Sequence, residues 1–507
     1  MILFLLRETG AISCSLKEQY FHTSFWQSDG LLCPVTCAGK SGVFRRAAVA
    51  TDVPACSKVG VDILKLGGSV IDSAVAALFC LGVINFQSPT FLDFREVAPN
   101  RATTDMFHQH GEAPNEGGLA VGIPGQLKGM ETAWKMHGRL PWADLIQPSI
   151  NIARQGFNVS KSLSFAVEDN QQRLQSEKYM YNALRDLLVP NEKPLKAGQV
   201  IKDAKMARTL SKIAEHGADY LYNSSFTSTL VRELQEQGSI ITEEDFNTYT
   251  VKAREVLKSN FNGFRVLGAT APSGGALVAL ILNILTGYNI SHGNSGLMYH
   301  RLVEAFRMAY TWRPRLGDPD FNADMSEVIR RMMSSDEADA LRSLIRDDEM
   351  YFMDASGFPR PSHVGTTHLS VLGPDGDAVA VTSTLNDFFG SLVYSNESGI
   401  IFNDEMFDFC EDMGPCKHIK PKSRPRSSMS PTILLKQDGS VKMVIGASGG
   451  SRIPTGITQV LLNVLYFNMS LSEAVAYPRI HHQINPDEVD VEEIKTTKKQ
   501  NPGQNAS

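Results

Sequence analysis

The stretch Gly365-Thr-Thr-His-Leu-Ser-Val-Leu-Gly-Pro-Asp-Gly-Asp-Ala-Val-Ala-Val-Thr-Ser-Thr-Leu-Asn386 organises the rest of the chain. Two apolar alternating runs, His368 to Leu372 and Ala378 to Thr382, flank Gly373-Pro374-Asp375-Gly376, and that pattern predicts a β-hairpin. Gly365-Thr366-Thr367 lies just before its first strand. Inside an intact chain a threonine there is an ordinary strand former. Were the peptide bond before Thr366 cut, its hydroxyl and a new α-amine would share one residue. An α-amine titrates near pH ~8, which makes it a built-in base for the hydroxyl.

Outward from the hairpin, alternating helices and strands fill most of the chain. Ala47 to Asp52 predicts a short strand, and Ala55 to Asn85 two helices broken at Gly67-Gly68, the Ala-rich second half too apolar for a surface position. Gly117 to Gly125 reads as a glycine-punctuated strand and turn. No Gly-Lys-Ser/Thr follows it, so it is no phosphate loop. Helices are expected over Gln126–His137, Trp142–Gln155, Ala207–Glu215, Ser225–Gln237, Ala276–Leu285, Leu297–Tyr310 and Thr455–Phe467. Ser239–Thr242 reads as a brief β run and Phe264–Ala269 as a strand; residues 335–362 read as a solvated linker. A second hairpin is expected over Ile433–Lys436 and Val441–Ile445. Helices flanking antiparallel hairpins predict an α+β, layered arrangement.

Composition excludes several classes. Of 507 residues, 42% are hydrophobic and 21% charged, which describes an ordinary globular protein with ample core. A net charge of -6 argues against a nucleic-acid or anionic-membrane partner. The apolar run Met1 to Leu6 is too short to span a bilayer and short for a signal peptide. Residues 1–44 lack a consistent period and read as poorly ordered or targeting sequence. Seven cysteines leave at least one free or paired between chains, with Cys56/Cys80 and Cys410/Cys416 as possible bridges. Glycosylation sequons begin at Asn158, Asn223, Asn289, Asn396, Asn468 and Asn505, a modest enrichment that leans toward secretion.

Polar clusters around the hairpin offer chemistry, each with a plainer reading beside it. Thr384 and Asn386 end the second strand, where side chains commonly bond nearby backbone. Glu405 and Asp408, three residues apart, suit a substrate ammonium or simply a helix start. Ser427-Ser428 presents hydroxyls to a carboxylate or forms a surface turn. Gly449-Gly450 before a helix is a ready oxyanion site, or a strand-to-helix turn. Arg95, in Asp93-Phe94-Arg95-Glu96, has the fork to clamp a carboxylate, although most arginines beside acids form surface ion pairs. His368, His481 and His482 show no metal-ligand spacing, so neither metal nor other cofactor is expected.

Taken together, these pieces resemble the γ-glutamyltransferase (glutathione hydrolase) family of N-terminal-nucleophile hydrolases. The matching stretches include Ala47–Asp52, Ile63–Ala77, Phe94–Pro99, Gly117–Gly125, His137–Trp142, Gly365–Asn386, Gly399–Met406, Ser427–Met429 and Gly446–Gly450. The resemblance runs from about residue 46 to 485 and implies a four-layer αββα sandwich made as a self-cleaving precursor. It divides the chain into a large portion, 45–365, and a small one, 366–507. It assigns Thr366 as nucleophile, Thr384 as its support, and Gly449 and Gly450 as oxyanion hole. Asn386, Glu405 and Asp408 would hold the α-amino end of a γ-glutamyl group, and Arg95, Ser427 and Ser428 its α-carboxylate. The implied acceptors are water, amino acids or dipeptides. A Cys56–Cys80 disulfide and a location in the secretory pathway or at the outer cell surface also follow from it, while the sequons themselves predict glycosylation at the first five.

Three departures stand against this pattern. The family's long glycine-rich segment between the helix ending near Asn85 and Phe94 is missing, with Gln87-Ser-Pro-Thr90 running almost directly into Phe91. That deletion is expected to remove a core strand and displace Arg95. The C-terminus is short by about fifty residues relative to the family, and the usual N-terminal anchor or signal is not evident. The alternative expectation is therefore an impaired pseudoenzyme or splice product.

Overall fold

The computed structural model describes residues 47–80, 91–107, 115–175, 182–290, 296–351, 365–410 and 419–492, together with the backbone of 2–6 and 20–24. The central hairpin forms as its alternation requires. Thr366–Leu372 runs antiparallel to Ala378–Thr384, with Thr366 opposite Thr384 and Leu372 opposite Ala378. Gly376 turns the chain at φ +85°, a backbone shape open to glycine.

Six strands make the first sheet, in the order Ala48–Thr51, Thr366–Leu372, Ala378–Thr384, Ile2–Leu6, Phe91–Asp93 and Lys252–Arg254, all antiparallel. Ile2–Leu6 thus supplies the strand between Ala378–Thr384 and Phe91–Asp93, so the sheet is continuous without one from residues 81–90, which lie outside the described residues. The second sheet has the order Tyr20–Ser24, Val441–Ala447, Thr432–Leu435, Phe264–Gly268 and Leu257–Phe261. Only the pairing of Tyr20–Ser24 with Val441–Ala447 is parallel.

The two sheets pack face to face, with both strands of the central hairpin against Val441–Ala447. His368 is buried at this junction, Nδ1 on the Thr382 hydroxyl (2.9 Å) and Nε2 on that of Ser370 (3.1 Å), while Ser370 donates to Val444 O. Burial pushes the imidazole down to about 3, so it stays neutral. Gly446 lies against its ring, where an added Cβ would come within 2.2 Å.

Helices cover both outer faces, which gives the four-layer α+β architecture. Val70–Phe79 starts with a Ser69/Asp72 capping box, and its Ala74–Ala77 run is fully buried, as the sequence predicts. Gly275–Thr286 and Arg452–Leu465 cover the second sheet. The helices Gln126–His137 and Trp142–Gln155 match their predicted limits.

Three local expectations are corrected. Ser239–Thr242 forms no strand, because Thr242 instead caps the short helix Glu243–Asn247 by exchanging bonds with Asp245. Residues 335–343 form a helix rather than linker, started by the Ser334 hydroxyl accepting from the Glu337 N–H. Gly117–Gly125 holds a single 3-10 turn, Gly118–Ala120, and one bridge between Ile123 and Val97. Among the described residues no helix is long and apolar enough to cross a membrane.

Cys56 and Cys80 are joined, their Cα atoms 5.3 Å apart, linking the starts and ends of the first two helices. Cys410 is disulfide-bonded as well, and Cys416 lies outside the described residues. Closing the 24-residue loop restricts the unfolded chain, so a Cys56→Ser/Cys80→Ser double variant should lose about 2–4 kcal/mol of stability. Urea unfolding of the variant and the oxidised parent reads this directly; equal midpoints would contradict it.

Candidate active site

Thr366 is half-buried at the start of its strand. Its hydroxyl donates to Thr384 Oγ1 at 3.0 Å. The Thr384 oxygen also accepts the Asn386 N–H (2.7 Å) and donates to Gly365 O at 3.3 Å. One hydroxyl has a single proton and two lone pairs, and these three bonds use all of them. The Thr366 hydroxyl is thereby directed, and the carbonyl before it is polarised from two sides, since Leu385 N–H reaches Gly365 O at 3.2 Å. A side chain at position 365 is excluded, because its Cβ would lie 2.2 Å from Asp387 O. Asp52, on the neighbouring strand's end, accepts from the Thr367 hydroxyl and the His368 N–H, which fixes the strand one residue past Thr366.

Beyond the second strand, Asn386 adopts φ +79°, a left-handed turn that asparagine tolerates. This turn is laced to the loop before Glu405: Asp404 N–H donates to Leu385 O (3.1 Å) and Asp387 N–H to Asp404 Oδ1 (3.0 Å). Asn403 anchors that loop from behind, exchanging two 2.9 Å bonds with the Gly122 backbone. Glu405 and Asp408 then project from the turn Glu405–Phe409.

Arg95, fully buried just past Phe91–Asp93, meets both of them. Its Nη1 lies 2.5 Å from Glu405 Oε2, its Nη2 pairs with Asp408, and Nη2 also donates to Arg426 O at 2.8 Å. Arg95 thus stands beside Glu405 and Asp408 although residues 87–90 run almost directly into the strand before it. Ser427 and Ser428 follow Arg426, and the Ser427 N–H is held by Pro272 O at 2.9 Å. Gly449 and Gly450 continue from Val441–Ala447, the strand packed on the Thr366 hairpin, with φ +112° and +56°. Among the described residues neither N–H of this pair is engaged, so both remain available as donors.

The family profile described as gamma-glutamyltranspeptidase matches residues 56–502. The chain belongs to the γ-glutamyltranspeptidase family. Its relatives include glutathione hydrolase 2 of Arabidopsis thaliana, 39% identical over 90% of this chain and 84% of that protein. The glutathione hydrolase 5 proenzyme of Mus musculus is 34% identical over 89% and 84%. Among solved structures, the γ-glutamyltranspeptidase of Helicobacter pylori covers 60% of this chain and 93% of its own at 27% identity and a TM-score of 0.56. A cephalosporin acylase of Bacillus halodurans shares the fold over 86% and 83%, with a TM-score of 0.76 at 24% identity.

Of the positions singled out in the sequence, the structure joins Thr366, Thr384 and Asn386 by hydrogen bonds, and Arg95 with Glu405, Asp408 and the backbone just before Ser427. Asn158, Asn223, Asn289, Asn396 and Asn468 are exposed. Asn505 lies outside the described residues. Sequence reasoning missed Asn403, Asp404, Asp52 and Arg313. The first two were visible only as neighbours of Glu405, and Asp52 only as the end of a strand. Arg313 follows a helix without any pattern to mark it.

Electrostatics at Arg95 are unbalanced. One guanidinium faces Glu405, Asp408 and, at 3.7 Å, Glu96. Burial is the main cause that pushes Glu405 up to about 8; Arg95 pulls it down, and the Glu96 and Asp408 charges push it further up. Beyond the ion contact to Arg95, neither Glu405 oxygen accepts a hydrogen bond among the described residues. A raised value means the native state keeps a proton that the unfolded chain releases near 4.5. The stabilisation tied to that proton is complete below pH 4.5 and is lost as pH rises toward 8. Urea midpoints should therefore fall between pH 5 and 8 more steeply in the parent than in Glu405→Gln. Parallel profiles would count against the assignment.

Proposed function

We propose that this chain cleaves itself before Thr366 and then hydrolyses and transfers the γ-glutamyl group of glutathione and related compounds. The supporting observation is the placement of Arg95, Glu405 and Asp408 beside the Asn386 turn that holds Thr384 and Thr366. A free α-amino-acid head is a zwitterion, and groups of both signs at one end of the hairpin suit it. The α-carboxylate would take Arg95, Ser427 and Ser428. The α-ammonium would take Asn386, Asp408 and Glu405, whose oxygens lack hydrogen-bond donors. Such two-ended binding fixes which amide reaches the nucleophile.

Maturation begins with attack of the Thr366 oxygen on the Gly365 carbonyl carbon. The peptide nitrogen leaves as the Thr366 α-amine, and water hydrolyses the resulting ester to a Gly365 carboxylate. The products are chains 1–365 and 366–507, held together by the shared sheet. In turnover the α-amine takes the Thr366 hydroxyl proton, the oxygen adds to the γ-carbonyl carbon, and the Gly449 and Gly450 N–H groups receive the oxyanion. The proton passes to the departing amine, leaving a γ-glutamyl ester on Thr366. Water, an amino acid or a dipeptide then takes the acyl group and restores the hydroxyl.

Five exposed sequon asparagines and the Cys56–Cys80 bridge support a place in the secretory pathway or at the outer cell surface. Electrophoresis of the purified protein, N-terminal sequencing of the small band and turnover of a γ-glutamyl anilide test the whole reading. A small chain beginning at Thr366 and anilide release are expected. A single uncut, inert chain would overturn the reading and leave the pseudoenzyme alternative in its place.

A further inference from the structure

Arg313 sits in the turn Arg313–Arg315 that follows the helix Gly296–Tyr310, and its side chain is buried. Buried arginines near the site pair with carboxylates: Arg95 has Glu405 and Asp408, while Arg254 and Arg424 share Asp93. Among the described residues Arg313 has none within 4 Å. Its side-chain hydrogen bonds go instead to one oxygen, Ser428 Oγ, from Nε at 3.3 Å and Nη2 at 3.1 Å. Burial lowers its proton affinity, and only the Asp408 and Tyr310 charges work the other way.

Hydrogen-bond counting at Ser428 gives this contact a consequence. A serine oxygen has two lone pairs and one proton. Two donors from Arg313 occupy the lone pairs, so the hydroxyl is left only its proton to offer. That proton has no acceptor among the described residues, since Ser428 takes part in no other side-chain bond. The arginine, with no carboxylate within 4 Å among the described residues, also places a positive charge directly behind the hydroxyl, which strengthens any bond it donates to an anion. The serine's backbone cannot swing away: Ser428 O accepts from the Ser430 hydroxyl at 2.9 Å, and Met429 O holds the Gly274 N–H at 3.0 Å.

We propose that Arg313 is a positioning residue for the α-carboxylate of the substrate, fixing Ser428 as a hydrogen-bond donor and supplying a second positive charge beside Arg95. The inference rests on the γ-glutamyl reading above. Arg95 is already engaged by carboxylates of the protein, so discrimination for an α-carboxylate depends on a cation that is not. Arg313 is that cation.

The test compares two anilides, γ-glutamyl and 4-aminobutanoyl, which differ only in the α-carboxylate. Arg313→Gln should raise KM for the γ-glutamyl substrate about tenfold or more, with a smaller change in kcat, and leave the 4-aminobutanoyl substrate nearly unaffected. Arg313→Lys, which keeps the charge but not the two-pronged contact, should recover part of the loss. In a Ser428→Ala background the Arg313→Gln effect should shrink, because the partner is gone. Appearance of the small chain in each variant reports folding, and Arg313→Lys serves if Arg313→Gln does not mature. Equal losses on both substrates, or additive losses with Ser428→Ala, would overturn the proposal while leaving the γ-glutamyl reading intact. A parent that shows no preference between the two anilides would instead remove that reading, and this inference with it.

Discussion

Thr366→Ala should yield an uncut chain with turnover reduced by about 10⁴-fold or more, the scale seen when a covalent nucleophile is removed. The loss is twofold in origin. Alanine has no oxygen to attack the Gly365 carbonyl, so the α-amine never forms, and no oxygen to receive an acyl group afterwards. The fold should survive, because Thr366 is only half-buried and the strand pairing with Thr384 uses backbone atoms. Thr366→Ser keeps the oxygen within reach of Thr384 and should still mature, though more slowly because serine lacks the branched side chain that restricts the rotamer. Denaturing electrophoresis over a time course, with anilide turnover on the same samples, separates these outcomes. Release of a small chain by Thr366→Ala would show that the scissile bond or the nucleophile lies elsewhere.

How much of this was readable beforehand follows from the range of the interactions. The central hairpin was legible because its alternation, turn residues and flanking threonines all lie within 22 residues. Helices such as Gln126–His137 and Trp142–Gln155 were legible from periodicity and their stop signals. The helix Ser335–Ser343 was misread because its charged composition hid a short cap, Ser334 to Glu337. The strand Ile2–Leu6 was not read because its partners lie about 90 and 380 residues downstream, and nothing local announces them.

The site divides in the same way. Thr366, Gly449 and Gly450 sit in short local patterns, a threonine at a strand start and a glycine pair before a helix, but each pattern has a plain structural reading, and the family resemblance supplied the chemical one. Arg95 meeting Asp408 across 313 positions has no local pattern, and there only the family resemblance supplied the link. Arg313 lay beyond both sources. Its role depends on lone-pair occupancy at a serine 115 residues away, which neither periodicity nor motif spacing encodes.

Arg95→Gln is the second large effect expected, and pH makes it distinctive. The substitution leaves Glu96, Glu405 and Asp408 together without the guanidinium that now faces them, and removing one partner of a buried ion pair costs about 3–5 kcal/mol. Glu405, already pushed up to about 8, should move higher once Arg95 no longer favours its charged form. The native state then holds its protons to higher pH than the parent does, so the variant should be close to normal in stability near pH 5 and markedly weaker by pH 8. Urea midpoints at the two pH values measure this. Adding Asp408→Asn should return part of the stability by removing one of the stranded charges. It should not return activity, because on the γ-glutamyl reading the α-carboxylate still lacks the Arg95 guanidinium and keeps only Arg313; kcat/KM on a γ-glutamyl anilide should stay about 10²- to 10³-fold below the parent in both variants. A midpoint that falls equally at pH 5 and pH 8 would show that Arg95 stabilises by packing, and near-normal kcat/KM would place the substrate carboxylate away from it.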